Sequence, residues 1–315
     1  MKRSGLFRPF GWCVAILFVS FGSLAAQTFR PVSGWPDSVN QRIEHFLNST
    51  LVIRERKVAV FDCDGTLFGQ APYYLADEAI YAYAKSHYEG KKDARSRQKM
   101  KIIDRMLHGS NTGMDYVTER INFLSGMTTE EVKRMGEDCF KEKYRGKFYP
   151  QMRELLADLK AYGFEIWVLS ASPELLYQQF VHEQTGIPDD RILGVKSVVV
   201  NDTVTSQIVL PVPQDAGKAA AVETFIKAQP LFAGGNSRGD MEMMNTSVGL
   251  KLIVNPDGDH VEKGPGAGDM DGQTVEGYWK AHDAVIVRCN DVPEGDFNYV
   301  TGQWGIKANK SNPDK

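Results

Sequence analysis

The chain is short of most features that would mark a specialised class. It has four cysteines in 315 residues. Cys13 lies in an N-terminal apolar run, which leaves Cys63, Cys139 and Cys289, an odd number with no metal-ligand spacing. A Cys139–Cys289 disulfide is left open. A surplus of one charge is also missing: the formal net charge is −3 and the pI about 6.1, which gives no electrostatic reason to expect nucleic acid as a partner. No internal repeat or low-complexity tract is present. Beyond the N-terminal run, no segment has the length and apolarity of a membrane-spanning helix. What is present is ordinary for a soluble globular protein, with 42% hydrophobic and 24% charged residues. The length suffices for one large core plus a smaller satellite.

The one long apolar run has a specific context. Lys2, Arg3 and Arg8 form a basic start, Phe10 to Leu24 is almost uninterrupted, and Ser23-Leu24-Ala25-Ala26 offers small residues for cleavage. This is the three-part pattern of a secretory signal, and the run is short of the ~20 residues a spanning helix needs. No Leu-rich lipobox precedes Cys13, which argues against a lipoprotein. The mature chain is therefore expected to begin near Ala26 or Gln27, in the periplasm or outside the cell, with no membrane association once the signal is removed.

Periodicity organises the remainder. Val39, Ile43, Phe46 and Leu47 make one face of a helix, with Asp37 as its expected cap. Lys57–Phe61 is a short apolar run rich in β-formers that stops at Asp62, as a buried parallel strand does. From Tyr73 to Lys143 the signals are helical, and Thr128 or Thr129 can cap a helix whose first turn carries Glu130 and Glu131. Strand and helix then alternate: a helix over Met152–Tyr162, a strand over Phe164–Leu169 ending at Ser170, and a helix from Pro173. A hairpin follows around Asn201-Asp202-Thr203, then a helix from Ala219 and strands at Leu231–Ala233, Leu250–Val254 and Ala284–Val287. This alternation predicts an α/β fold, a parallel sheet covered on both faces, with an all-helical insert after the first strand. In such sheets ligands bind beyond the carboxyl ends of the strands.

The polar motifs fall at those ends. Asp62 and Asp64 leave the first strand one residue apart in Phe61-Asp62-Cys63-Asp64-Gly65-Thr66. One carboxylate can act as nucleophile while the other carries a proton, provided their surroundings separate their pKa values. Cys63, alternating to the other side, is expected in the core. Individually, Ser170 could be a helix cap, Lys218 a surface charge and Gly239-Asp240 a turn. Their common order and placement argue for a site.

These motifs resemble the haloacid dehalogenase superfamily of phosphohydrolases, in its phosphoserine-phosphatase-like branch, from about Val58 to Val254. Asp62-Cys63-Asp64-Gly65-Thr66 is similar to the first family motif, and Val168-Leu169-Ser170-Ala171-Ser172 to the second. Gly217-Lys218 is similar to the third and Gly235-Asn236-Ser237-Arg238-Gly239-Asp240 to the fourth. The resemblance implies a Rossmann-like core over 27–68 and 150–315 and a helical cap over 69–149, which follow the signal peptide read over 1–26 from its residue pattern. It implies a phosphatase acting on a small phosphorylated substrate, with Asp62 as nucleophile and Asp64 as acid and base. Thr66, Ser170, Ala171 and Lys218 would bind phosphate, and Asp62, Asp64, Asn236 and Asp240 would hold Mg²⁺. Asn236 departs from the Asp of many relatives and contributes no negative charge, so weaker metal affinity is expected.

The resemblance also bears on the substrate. Arg120 falls near where phosphoserine phosphatases hold the substrate carboxylate, but Gly69-Gln70-Ala71-Pro72 replaces the acidic residue they carry after the first motif. Phosphoserine is thus not the expected substrate; Tyr73, Tyr74, Glu78 and Arg120 are the specificity candidates. Dehalogenases of this fold lack the second aspartate, so Asp64 argues for phosphate chemistry. A phosphotransferase, or a binding module without turnover, are the rival readings.

Overall fold

A computed structural model describes residues 28–70, 74–109, 113–261 and 270–290; the expected signal peptide and Tyr73 lie outside them. Chain order is α1 (Asp37–Ser49), β1 (Lys57–Asp62), α2 (Leu75–His87), α3 (Ala94–His108), α4 (Gly113–Leu124), α5 (Thr129–Cys139) and α6 (Pro150–Ala161). There follow β2 (Phe164–Pro173), α7 (Glu174–Thr185), β3 (Ile192–Val200), β4 (Thr203–Val209) and α8 (Ala216–Ala221). The last elements are β5 (Phe232–Gly235), α9 (Met241–Asn245), β6 (Leu250–Val254), α10 (Val275–Ala281) and β7 (Val285–Val287).

The strands form one seven-stranded sheet in the order β4-β3-β2-β1-β5-β6-β7. All neighbouring pairs are parallel except β3 with β4. Alternation along β1 explains the layering. Ala59 and Phe61 face a core shared with Ile43 of α1, Leu155 of α6 and Phe180 of α7. Val58 and Val60 face the opposite core, with Ala221, Met243 and Trp279 from α8, α9 and α10. A sheet buried on both faces needs apolar residues at successive positions, which is why β1 reads as a continuous run.

Several local expectations hold. Thr128 accepts from the Glu131 N–H (3.1 Å) while Glu131 accepts from the Thr128 N–H (2.7 Å), closing a capping box at the start of α5. Asn201 and Asp202 take φ of +48° and +60°, the left-handed pair a two-residue hairpin turn requires. Others need correction. Pro36 caps α1, and Asp37 sits in its first turn, where a negative charge still favours the helix dipole. Strand β2 runs past Ser170 to Pro173. Cys63, Cys139 and Cys289 are all free and buried, so the Cys139–Cys289 disulfide is absent.

Helices α2–α5 all lie between β1 and β2 in the chain, and among their attachments to the rest two are close backbone approaches. Backbone bonds join Gly126 N–H to Val204 O (2.8 Å) and Val204 N–H to Met127 O (2.9 Å), stitching the end of α4 to the β3–β4 hairpin. On α5, a Cβ at Gly136 would lie 1.9 Å from the Leu176 carbonyl oxygen, so only glycine lets α5 approach α7 this closely. Among the described residues no helix is long and apolar enough to cross a membrane.

Candidate active site

Register brings the motifs together. Asp62 pairs with Leu169 across β1 and β2, and Phe61 with Gly234 across β1 and β5. The residues that follow, Asp64, Ser170 and Asn236, therefore emerge at one end of the sheet. They meet in a cavity of about 210 Å³ whose lining includes Asp62, Asp64, Ser170, Ala171, Lys218, Asn236, Asp240 and Arg120.

Asp62 is 6% exposed and holds partners on both oxygens. Lys218 Nζ donates to Oδ1 at 2.6 Å, and Thr66 Oγ1 to Oδ2 at 3.0 Å. Burial, then the Asp240 charge, push the Asp62 pKa up to about 7 against the pull of Lys218. Burial works against the charge on Lys218 too, but Asp240 and Asp62 outweigh it and raise its pKa. Gly217 lets α8 start close enough to deliver this amine: a Cβ there would lie 1.9 Å from the Val212 carbonyl oxygen.

Asp240 corrects an expectation. Its Oδ1 accepts from Lys218 at 2.5 Å; its Oδ2 accepts from the backbone N–H groups of Asn236 (2.9 Å) and Ser237 (3.0 Å) and from Ser237 Oγ (3.2 Å). A carboxylate so fully occupied anchors Lys218 and the fourth motif, and is not a free metal ligand.

Asp64 is held on the other flank. Tyr177 donates to Oδ1 at 2.7 Å, while Ser170 and Ser172 donate to Oδ2 at 3.2 and 3.3 Å. Burial raises its pKa, and the hydroxyl of Tyr177, the charge of Arg120 and the two serines oppose that rise. Cys63 is fully buried, and burial lifts its thiol far above the ordinary range, so it packs as expected.

The specificity candidates separate. Tyr74 and Arg120 line the cavity, together with Gln70, Tyr116 and Val117. Glu78 does not: it is 1% exposed and paired with Lys143 at 2.9 Å. Arg120 is itself engaged, with Nε and Nη2 each 2.9 Å from Asp77 Oδ1 and its guanidinium 4.6 Å from the Tyr116 ring. Sequence reasoning missed Ser172, Tyr177 and Asp77. Ser172 shares the face of Ser170 by strand alternation, a signal that was available; Tyr177 and Asp77 carried none.

The residues fit a hard divalent cation. Among the described residues no three His, Cys, Asp or Glu side chains cluster as ligands. The oxygen donors beside Asp62 are instead the Asp64 carbonyl and the Asn236 amide, an all-oxygen set. One end of that amide faces acceptors only, the Asp64 carbonyl oxygen at 3.3 Å and Asp240 Oδ2 at 3.2 Å. Without a cation the NH₂ must point there; with one, the amide can turn its oxygen in. Gly65, at φ +82°, leaves this space open, since a Cβ there would lie 2.2 Å from the Asn236 amide.

The chain matches the model of haloacid dehalogenase-like hydrolases over residues 59–245, and it belongs to that family. Solved structures share its fold. A protein of unknown function from Bordetella pertussis Tohama I aligns over 74% of this chain and 98% of its own, at 16% identity and TM-score 0.56. A conserved functionally unknown protein from Anaerococcus prevotii DSM 20548 aligns over 80% and 92%, at 15% identity and TM-score 0.56. A probable phosphoserine phosphatase from Vibrio cholerae, unliganded, aligns over 76% and 62% at 16% identity, with a TM-score of 0.46 that is too low to speak for the fold. No curated protein matches the sequence.

Proposed function

We propose that the chain is an exported, Mg²⁺-dependent phosphomonoester hydrolase that works through an aspartyl-phosphate on Asp62. One observation carries this reading: a buried carboxylate at the end of the central strand, gripped by Lys218 at 2.6 Å, opens on the same cavity as Asp64 and Ser170. Phosphoryl transfer needs positioning and charge neutralisation more than covalent machinery, and this arrangement supplies both.

The Ser170 hydroxyl, the Ala171 backbone and the Lys218 ammonium hold the phosphoryl oxygens. Asp62 attacks phosphorus as the bond to the leaving oxygen breaks, and Asp64 gives that oxygen its proton. Asp64, now ionised, takes a proton from the water that attacks the acyl-phosphate, releasing inorganic phosphate and restoring Asp62. Asp240 keeps the Lys218 amine aimed, and Thr66 fixes the second oxygen of Asp62. Asp62, the Asp64 carbonyl and Asn236 would hold Mg²⁺, whose charge when bound offsets the repulsion between carboxylate and phosphate.

The substrate reading rests on the roof of the cavity. Asp77 already neutralises Arg120, and the neighbouring lining from Gln70, Tyr74, Tyr116 and Val117 is uncharged. A compact phosphate ester of an uncharged alcohol fits this surface better than an amino acid ester. The basic, apolar and small-residue run over 1–26 supports export.

Hydrolysis of para-nitrophenyl phosphate, with and without Mg²⁺, tests the reading on wild type and Asp62→Asn. Metal-dependent turnover abolished by the substitution is expected. Absence of turnover in both proteins would leave only a binding module, and equal turnover in both would remove Asp62 as the nucleophile.

A further inference from the structure

The mechanism asks Asp64 to present a proton to the leaving oxygen, yet a carboxylate on a two-bond side chain has rotational freedom. Its two oxygens are held differently here. Oδ1 takes a 2.7 Å bond from Tyr177, a residue that is 1% exposed and not among those lining the cavity. Oδ2 takes only longer bonds, 3.2 and 3.3 Å, from Ser170 and Ser172, which do line it. The short bond fixes one oxygen against the protein, and the other is left on the side where substrate binds.

Tyr177 is well placed to do this without moving. Pro173 caps α7, so Tyr177 stands in the second turn. Its ring packs between Phe68, 6.3 Å away on the loop after β1, and Phe180, 5.1 Å away on its own helix. The same loop carries Asp64, so one aromatic side chain couples the first motif to the helix following the second.

We propose that Tyr177 is a positioning residue for Asp64: its hydroxyl anchors Oδ1 so that Oδ2 carries the proton transferred to the leaving oxygen. In that step the proton passes from Oδ2 to the departing oxygen as the phosphorus–oxygen bond breaks and the bond to Asp62 forms. Ser172 then donates to the Oδ2 anion. The inference rests on the hydrolase reading of Asp62 and Asp64.

The test is a leaving-group comparison by kcat/KM, which reports the first chemical step. Para-nitrophenolate departs without a proton, whereas an alkoxide requires one. Asp64→Asn sets the reference: it should lose far more activity on β-glycerol phosphate than on para-nitrophenyl phosphate. Tyr177→Phe should show the same pattern in weaker form. We expect a loss of about 10²-fold on the alkyl ester, the scale of a misplaced general acid, and of less than about 3-fold on the aryl ester. Equal losses on both esters, or none on either, would overturn the inference. Should Tyr177→Phe fail to fold by circular dichroism, 3-fluorotyrosine incorporated at position 177, which changes the acidity of that hydroxyl while keeping the packing, carries the test: a changed ratio of alkyl-ester to aryl-ester kcat/KM is expected, and an unchanged ratio would overturn the inference. If Asp64→Asn itself shows no selectivity, the assignment of Asp64 fails, and that outcome is distinct from Tyr177→Phe failing alone.

Discussion

Asp62→Asn should stabilise the cation-free protein at neutral pH while abolishing turnover. The reason is the crowding of charge around the site: Asp62, Asp64 and Asp240 are balanced by Lys218 at 2.6 Å from Asp62 and 2.5 Å from Asp240. Burial first, and Asp240 next, raise Asp62 from 3.8 to about 7. At about 1.4 kcal/mol per pK unit, that rise corresponds to about 4 kcal/mol of strain once the carboxylate ionises. The sign follows from proton binding. A folded-state pKa above the unfolded one means the folded chain keeps a proton that the unfolded chain has released. Stability is therefore highest at low pH on this account, falls as pH climbs from about 4 to about 7, and is level beyond.

Asparagine keeps the shape and removes the charge. The pull of Lys218 is already contained in that net rise, so the expectation at pH 8 is a stability gain of up to about 4 kcal/mol. At pH 4 the two proteins should match. Urea unfolding with a chelator, at pH 4, 6 and 8, measures the difference. Mg²⁺ should close much of this gap, because it binds the wild-type folded state: at a hundred times its Kd it adds about 2.7 kcal/mol, and the variant should gain far less. A variant less stable than wild type at pH 8 in chelator, or an equal Mg²⁺ gain in both, would refute the reasoning.

Two further predictions concern the cation and the substrate. Asn236→Asp adds a negative oxygen donor and should tighten Mg²⁺ roughly tenfold by titration calorimetry; an unchanged Kd would remove Asn236 from the ligand set. Because Asp77 occupies Arg120, kcat/KM for phosphoserine should not exceed that for β-glycerol phosphate, and a tenfold preference for phosphoserine would show that the pair opens to a substrate carboxylate.

The strands, the helices and the four motifs were legible in the sequence because each is a local signal. Val58–Phe61 announces a doubly buried strand by being apolar throughout, and Asp62 marks its end because a charge cannot continue into that core. The Asn201-Asp202 turn and the Thr128 capping box are set by residues within a few positions of one another. Cys63 facing the core followed from alternation alone. The convergence of Asp62, Asp64 and Ser170 on one cavity was legible for the same reason: strand ends in a parallel sheet converge whatever the loops between them do.

Partners chosen across long stretches of chain were not legible. Tyr177 meets Asp64 over 113 positions and Arg120 meets Asp77 over 43, and no periodicity links residues at such separations. Glu78 and Asp77 are adjacent acidic residues on α2, yet one pairs with Lys143 and the other with the cavity arginine. Asp240 looked like a ligand until its four donors were counted, and the sequence left a Cys139–Cys289 pairing open that the fold closes by holding each cysteine free in the core. Sequence determines which groups a chain owns and which end of the sheet they reach. Packing alone decides which of their hydrogen-bonding positions are already taken, because a buried polar atom must be satisfied by whatever the fold brings beside it.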